Sequence, residues 1–490
     1  MIYLNKKILV SCVLLYFILP IIIFLYFWCK PYISIISGCI FLLSSYFFVK
    51  NVASDKIEVK VSEILVSFLI VLAFLILCGQ CGYVLQTGDN HYRNAIFRDL
   101  IERPWPVEYS DTSFVYYFCF WLVPALISKI YVNWQFSNYL LLAWSFIGVE
   151  LTVLLLSFSC IQKKIIIFSL LFITLSAPNI VGIVLTHGLD LVNNNFSFSS
   201  NEGWCDGQNN GFDSSYLYRS SYDAIAQTYN QAIPTFLVAA FFFFLNKEKF
   251  NIFYIVLLFP FAPIPSVGAV FYFVTLFFLN GYKYKKANKL FSYIKSFFNL
   301  ANLLSLFSVV PIFALFYRDN GESFFDFYIP FSAYDEPRII KLLLFYFVEF
   351  VWAYLLLRSD FKKQTKCLAA LITLFIYPLF RIGNGRDFCM NASFFSLVIL
   401  YQYLFLTFVF SLKDGFKKVN KLVLVFILLS STTLIFGSHT MIRLGHHLKK
   451  NNPNIVYLYS DDFKSIDNLS RDEHFFNKNQ DSLFNRFIKK

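Results

Sequence analysis

Apolar runs close to the ~20-residue length that crosses a bilayer recur along this chain from end to end, and few of them carry a charge. Backbone surrounded by lipid must satisfy its hydrogen bonds internally, so such runs fold as helices. The expected fold is therefore all-α, a polytopic transmembrane bundle of about thirteen helices. The spans read as 8–28, 31–49, 64–85, 139–159, 165–185, 229–246, 252–263, 266–280, 293–316, 339–357, 367–380, 393–412 and 422–438. Prolines at 260, 263 and 265 make 252–280 a hairpin of two short helices rather than one long one. Hydrophobic residues make up 58% of the chain and Phe alone 63 of 490 positions, which places it among membrane proteins.

A formal net charge of +12 raises the question of nucleic acid. The distribution answers it, because Lys clusters between apolar runs as the positive-inside rule expects. If Lys6-Lys7 is cytoplasmic, so are Lys50 to Lys60, Lys163-Lys164, Lys247 to Lys249, Lys283 to Lys295, Lys362 to Lys366 and Lys413 to Lys421. Parity then holds throughout, provided that 113–131 does not span. Pro124 interrupts that stretch, and Tyr, Trp and Lys129 flank it, as in an interfacial or re-entrant helix. Segments 86–138, 186–228, 317–338 and 381–392 share the extracytoplasmic side of a transmembrane domain covering 1–440, and 441–490 forms a polar tail or small extracytoplasmic subdomain. The first run ends at Cys29-Lys30 and a second apolar run rather than a cleavage site, so it reads as a signal anchor in a multi-pass plasma-membrane protein. Most of the ten cysteines lie inside apolar runs, which implies neither a disulfide framework nor a zinc site; Cys78-Gly79-Gln80-Cys81 falls in a span and reads as packing.

The outer segments carry Arg where the cytoplasmic ones carry Lys: Arg93, Arg98, Arg103, Arg219, Arg318, Arg338, Arg381 and Arg386. The guanidinium fork suits phosphate or carboxylate, so an anionic ligand is expected on that face. The densest cluster is Asp89, Asn90, His91, Arg93, Arg98 and Asp99. On a helix starting near Asp89, Asp89 and Arg93 can pair, while Ile96 and Phe97 dock on bilayer or protein; Asp89 could equally cap an amphipathic surface helix. His187 and Asp190, just after a span, suit either a proton relay, two metal ligands or a solvated helix end. The polar stretch 193–234, with Glu202, Trp204, Asp206, Asp213, Tyr218 and Arg219, is longer than an ordinary connection and rich in aromatics, as a packed functional loop would be. In Arg381-Ile382-Gly383-Asn384-Gly385-Arg386-Asp387, glycines allow close backbone approach, and Arg381, Arg386 and Asp387 offer a phosphate cradle or a solvated turn. Glu150 and Glu349 are isolated acids inside spans, where a carboxylate is a functional hypothesis by default, with a helix end or contact with a nearby Lys as the alternative.

Gly88-Asp89 with Asn94-Ala95-Ile96 and Trp105-Pro106-Val107, then Gly188-Leu189-Asp190, Asn230-Gln231-Ala232-Ile233-Pro234 and Arg386-Asp387-Phe388-x-Met390, resemble a group of bacterial polytopic proteins of the broad GT-C class of membrane glycosyltransferases. The resemblance covers roughly residues 60 to 410. It implies a helix bundle, a first large outer loop bearing an essential Asp, a juxtamembrane helix after it, and a polyprenyl-phosphate-linked sugar as donor to a glycan or glycolipid acceptor at the bacterial inner membrane. By position Asp89 matches the loop acid. Arg93, Arg98, Arg381 and Arg386 are then candidates for the donor phosphate, His91, Asp99, His187, Asp190 and Asp387 for support, and Trp105, Trp204 and Tyr218 for stacking on sugar. The chain has two spans before the one leading to this loop and lacks a D-x-D or E-x-D there, so no cofactor is implied with certainty and the need for a divalent cation stays open. A transporter or flippase of lipid-linked saccharides would use the same arginines without chemistry, and an oligosaccharide polymerase would differ in donor and acceptor size.

Overall fold

The structure, a computed structural model, describes residues 1–109, 112–160, 164–178, 180–181, 216–318, 327–328, 336–382, 387–413, 421–460, 464–468, 475–477 and 482–490. It is an all-α membrane protein with short strand ladders at its ends. Its helices are α1 (Lys6–Trp28), α2 (Pro31–Lys50), α3 (Val61–Leu77), α4 (Asn90–Glu102), α5 (Leu122–Ser128), α6 (Trp134–Phe158), α7 (Ile165–Ile173), α8 (Ser221–Leu245), α9 (Asn251–Leu258), α10 (Pro263–Lys286), α11 (Leu290–Ser296), α12 (Leu300–Arg318), α13 (Glu336–Lys363), α14 (Thr365–Ile376), α15 (Asp387–Ala392), α16 (Phe394–Lys413) and α17 (Lys421–Asn451).

Nine helices among the described residues are long and apolar enough to span: α1, α2, α6, α8, α10, α12, most of α13, α16 and α17. Each of the other four expected spans begins as a helix but stays shorter than the bilayer needs over its described length. In α3 the cause is local: Gly79 and Gly82 turn the chain with φ of 87° and 66° just past its end, the usual glycine stop of a helix. Pro260 and Pro263 bound the eight-residue α9, whereas α10 runs on for 24 residues and is no short arm of a hairpin. Pro378 follows the twelve-residue α14 and has no N–H to extend its hydrogen-bond ladder, so the chain tightens there into a 3₁₀ turn, Tyr377–Leu379, and leaves helical backbone at Phe380. For α7 nine residues are described. The run 293–316 is divided, because Asn299 Oδ1 accepts the Asn302 amide at 3.1 Å and starts α12 afresh. In the stretch 113–131 a 3₁₀ turn, Cys119–Trp121, runs into the seven-residue α5, and the two together are too short to cross.

Small residues let the long helices approach closely. A Cβ on Gly148 of α6 would fall 2.5 Å from Ile233 Cγ2 of α8, and one on Gly268 of α10 would fall 2.0 Å from the Ala392 carbonyl oxygen. The second contact fixes the end of α15 against α10 backbone to backbone.

Lys6, Lys247, Lys249 and Lys366 gather at one end of the bundle. There β1 (Ile2–Asn5) pairs antiparallel with β2 (Lys56–Val59), Lys6 faces Asp55 at 4.0 Å, Lys249 Nζ donates to Asn51 Oδ1 at 3.2 Å and Lys366 Nζ donates to Asn246 Oδ1. Trp28, at the far end of α1, meets Trp105 with ring centroids 5.3 Å apart. At that far end β3 (Glu108–Tyr109), β4 (Thr112–Phe114) and a strand from the C-terminal tail, Phe476–Asn477, form a three-stranded ladder in that order.

Candidate functional site

Helix α4 opens the site. Asp89 sits at its N-cap in helical backbone, and its side chain makes no capping hydrogen bond. Its carboxylate instead faces Arg93 Nη1 at 3.8 Å, while the same nitrogen donates to the Asp89 carbonyl at 2.7 Å. Asp89 is therefore held by the residue one turn on, and half its side chain remains exposed, at 50%. Arg93 is only 7% exposed; its Nε donates to Asn230 Oδ1 of α8 at 3.4 Å.

Helix α8 supplies the opposite side. Its backbone departs from helical geometry at Thr228 (φ −132°, ψ 39°), and Arg219, 5% exposed, reaches across this kink. Arg219 donates Nη1 to Thr228 Oγ1 at 3.1 Å and Nη2 to Gln227 Oε1. Three residues on, Gln231 Nε2 donates to Tyr117 Oη at 3.2 Å. Burial pushes the Tyr117 phenol up from about 10 to about 12, against the pull of Tyr116 and of Arg93. Tyr117 thus stays a neutral donor and acceptor at physiological pH.

These groups border a cavity of about 400 Å³ that also takes in Asp387 and Met390 from α15. One side is aromatic: Tyr92 stacks on Phe475 of the tail at 5.5 Å and 29°, Tyr116 lies 5.1 Å from Phe475, and Tyr116 stacks on Tyr117 at 3.8 Å. The cavity therefore joins two buried guanidinium groups, two carboxylates, amide and hydroxyl groups and a flat apolar wall. That combination suits a ligand with both an anionic and a ring-shaped part. Asp89 and Asp387 are the acids that line it, and among the described residues no group of three or more His, Cys, Asp and Glu side chains converges.

Of the residues singled out in the sequence, Asp89, Arg93, Arg219 and Asp387 meet here, and His91 packs behind Tyr92 with ring centroids 4.1 Å apart. Four others are placed elsewhere, and of a fifth, Arg381, the backbone is placed. Arg98 stacks over Trp134 at 4.2 Å. Buried Asp99 accepts Tyr109 Oη at 2.7 Å, Ser465 Oγ at 3.0 Å, the Ile466 amide at 2.9 Å and Arg103 Nε at 3.3 Å, which ties α4 to the tail. Burial, reinforced by that carboxylate, drives the Tyr109 phenol far above its ordinary value and keeps it a donor. Trp105 donates Nε1 to the Leu100 carbonyl at 2.8 Å and packs edge-on against Phe27. Tyr218 is buried against Phe345 and Phe350, its hydroxyl donating to the Leu374 carbonyl. Arg381 pairs its backbone with Tyr328 in a short antiparallel ladder. His187, Asp190, Trp204 and Arg386 lie outside the described residues.

Gln227, Thr228, Tyr116, Tyr117 and Phe475 line the cavity without having been singled out. Phe475 had one sequence signal, an aromatic residue in a polar segment, whereas Tyr116 and Tyr117 fall within the apolar stretch 113–131 and are not distinguished there. Comparison with protein-family models, with curated proteins and with solved structures gives no match for this chain.

Proposed function

We propose that this protein is an integral-membrane glycosyltransferase of the GT-C kind, moving a sugar from a polyprenyl-phosphate donor to a glycan or glycolipid acceptor on the extracytoplasmic side. The observation that carries the reading is the convergence of Asp89 and Arg93 from α4, Arg219 and Gln231 from the α8 region, and Asp387 from α15 on one cavity. These residues are as much as 298 positions apart in the chain, yet together they offer what transfer from a lipid phosphate requires.

In the proposed reaction the acceptor hydroxyl oxygen attacks the anomeric carbon and the Asp89 carboxylate takes its proton. The bond from that carbon to the phosphate oxygen breaks, and its electron pair leaves with the polyprenyl phosphate. Arg93 and Arg219 stabilise the charge that develops there; being already buried and held, they need little reorganisation. The Tyr92–Phe475–Tyr116 wall stacks on the sugar and Asp387 positions it. A single displacement inverts the anomeric centre.

Asp89→Asn keeps the shape of the side chain and removes the base. Purified protein incubated with lipid-linked sugars, with donor loss followed by mass spectrometry, should turn over roughly 10²- to 10⁴-fold more slowly in this variant, with donor binding retained. Wild-type turnover in Asp89→Asn would defeat the assignment. A transporter of lipid-linked saccharides is the second reading, favoured by the buried polar chain inside the bundle in which Ser169 Oγ donates to Ser67 Oγ and Ser67 Oγ donates to Glu150, each at 2.9 Å. Movement of intact donor across a proteoliposome membrane without cleavage would favour it.

A further inference from the structure

A second cavity, of about 420 Å³, lies at the Lys-rich end of the bundle, away from Asp89. Its size is within the roughly 300–1,000 Å³ of ligand pockets. The ends of α1, α6, α8, α14 and the middle of α16 contribute to it.

Its charge comes chiefly from Lys366, 9% exposed. The Lys366 ammonium donates to Asn246 Oδ1 and lies 4.7 Å from the centre of the Phe242 ring. It has no ion pair within 4.0 Å among the described residues. An ammonium has three donors, and burying it with a single neutral acceptor is costly. Lys6, its side chain part-buried, adds a second cation, held at the 4.0 Å limit from the exposed Asp55 carboxylate. The first turn of α14 adds a third positive element: its N-cap Gln364 makes no side-chain cap, so amide N–H groups and the positive end of the helix dipole face this region. Glu248 also borders the cavity and brings a negative charge, its Oε2 accepting from Asn280 Nδ2 at 2.6 Å, so two lysines face one carboxylate there. The lining also has an aromatic part, with Phe243 and Phe244 half-buried at the end of α8 and Tyr403 half-buried on α16.

We propose that this cavity binds a phosphate group carried by an anionic membrane lipid. Lys366, Lys6 and the α14 amides would meet the phosphate oxygens, supplying the acceptors that Lys366 lacks, while Phe243, Phe244 and Tyr403 flank the start of an acyl chain.

The test uses full-length, lipid-depleted protein in detergent, titrated with phosphatidylglycerol, phosphatidylcholine, glycerol 3-phosphate or inorganic phosphate. Binding is read by native mass spectrometry and by thermal melting. Phosphatidylglycerol should be retained and raise the melting temperature, phosphatidylcholine should not, and Lys366→Gln should weaken retention roughly ten-fold, the scale of one charge-assisted hydrogen bond. Lys6→Gln, at the more accessible cation, should weaken it several-fold, and it carries the test should Lys366→Gln fail to fold. Stabilisation by glycerol 3-phosphate or inorganic phosphate, lost in the same variants, would support the phosphate site and assign a soluble source. Equal retention of the two lipids with no response to either phosphate would overturn the proposal, as would phosphatidylglycerol binding untouched by both substitutions.

Discussion

Asp99 holds the tail to α4, and replacing it should loosen that attachment by a calculable amount. The carboxylate is 3% exposed and accepts four donors, from Tyr109, Ser465, Ile466 and Arg103. In Asp99→Ala the buried Tyr109 hydroxyl and Ile466 amide lose this acceptor, each at about 1–3 kcal/mol. Arg103 loses less, because its Nη2 still reaches Asp467 Oδ2 at 3.2 Å. These terms share one network and do not add, so about 3–5 kcal/mol, the usual cost of breaking a buried charged cluster, is the expected total. Asp99→Asn keeps one oxygen acceptor and should cost about 1–2 kcal/mol. Hydrogen exchange at the Ile466 amide reads the opening directly. Each ~1.4 kcal/mol is tenfold in the opening equilibrium, so exchange should speed by at least about a hundredfold in Asp99→Ala and about tenfold in Asp99→Asn. Protection at Leu458, whose amide donates to the Gly82 carbonyl at 2.7 Å, should change less. An unchanged Ile466 rate in Asp99→Ala would refute the clamp.

Arg219→Lys keeps the charge and loses the fork that spans Gln227 and Thr228, so the transition-state stabilisation behind donor kcat/KM should fall by about 1–3 kcal/mol, whereas Arg98→Lys should leave it unchanged while weakening the stacking on Trp134, worth about 0.5–2 kcal/mol of stability. Equal effects of the two substitutions in a donor-turnover assay would contradict the placement. Phe475→Ala removes part of the aromatic wall and should raise donor KM about three- to ten-fold with little change in kcat, measured by steady-state turnover. Tyr117, raised from about 10 to about 12 by burial, favours the folded state fully below pH 10, and that contribution is lost as pH rises through 12. Chemical-denaturant melts of Tyr117→Phe should therefore show a shallower alkaline decline over that window than the wild type, and parallel curves would exclude the effect.

The helices were legible in the sequence because lipid leaves the backbone one economical answer, and their polar ends were legible from Lys spacing. Their lengths were less so. Hydropathy runs through Gly79 and Gly82 without a break, although the backbone turns there, because hydropathy says nothing about φ. The Asp89–Arg93 pairing was readable from four-residue spacing. The same geometry separates Arg98 from them: nine residues at 3.6 per turn place it about half a turn round α4 from Asp89, and it faces Trp134 instead. Density of charge alone had grouped residues that the helix divides. Tyr218 and Arg219 are neighbours in an irregular segment and diverge, one into the packing around Phe345 and the other into the cavity. The kink at Thr228 and the return of Phe475 depend on tertiary packing, which no local pattern carries.

The wall formed by Phe475 and the clamp on Asp99 both come from chain that follows α17, the last long apolar helix described. A ribosome delivers residues in order, so Asp89, Arg93, Arg219 and Asp387 all enter the membrane protein before these pieces exist. A nascent chain with every helix inserted would hold these four side chains in a cavity open on one side. Completion of the cavity is thus a late event in biogenesis, timed by synthesis of the tail rather than by assembly of the bundle.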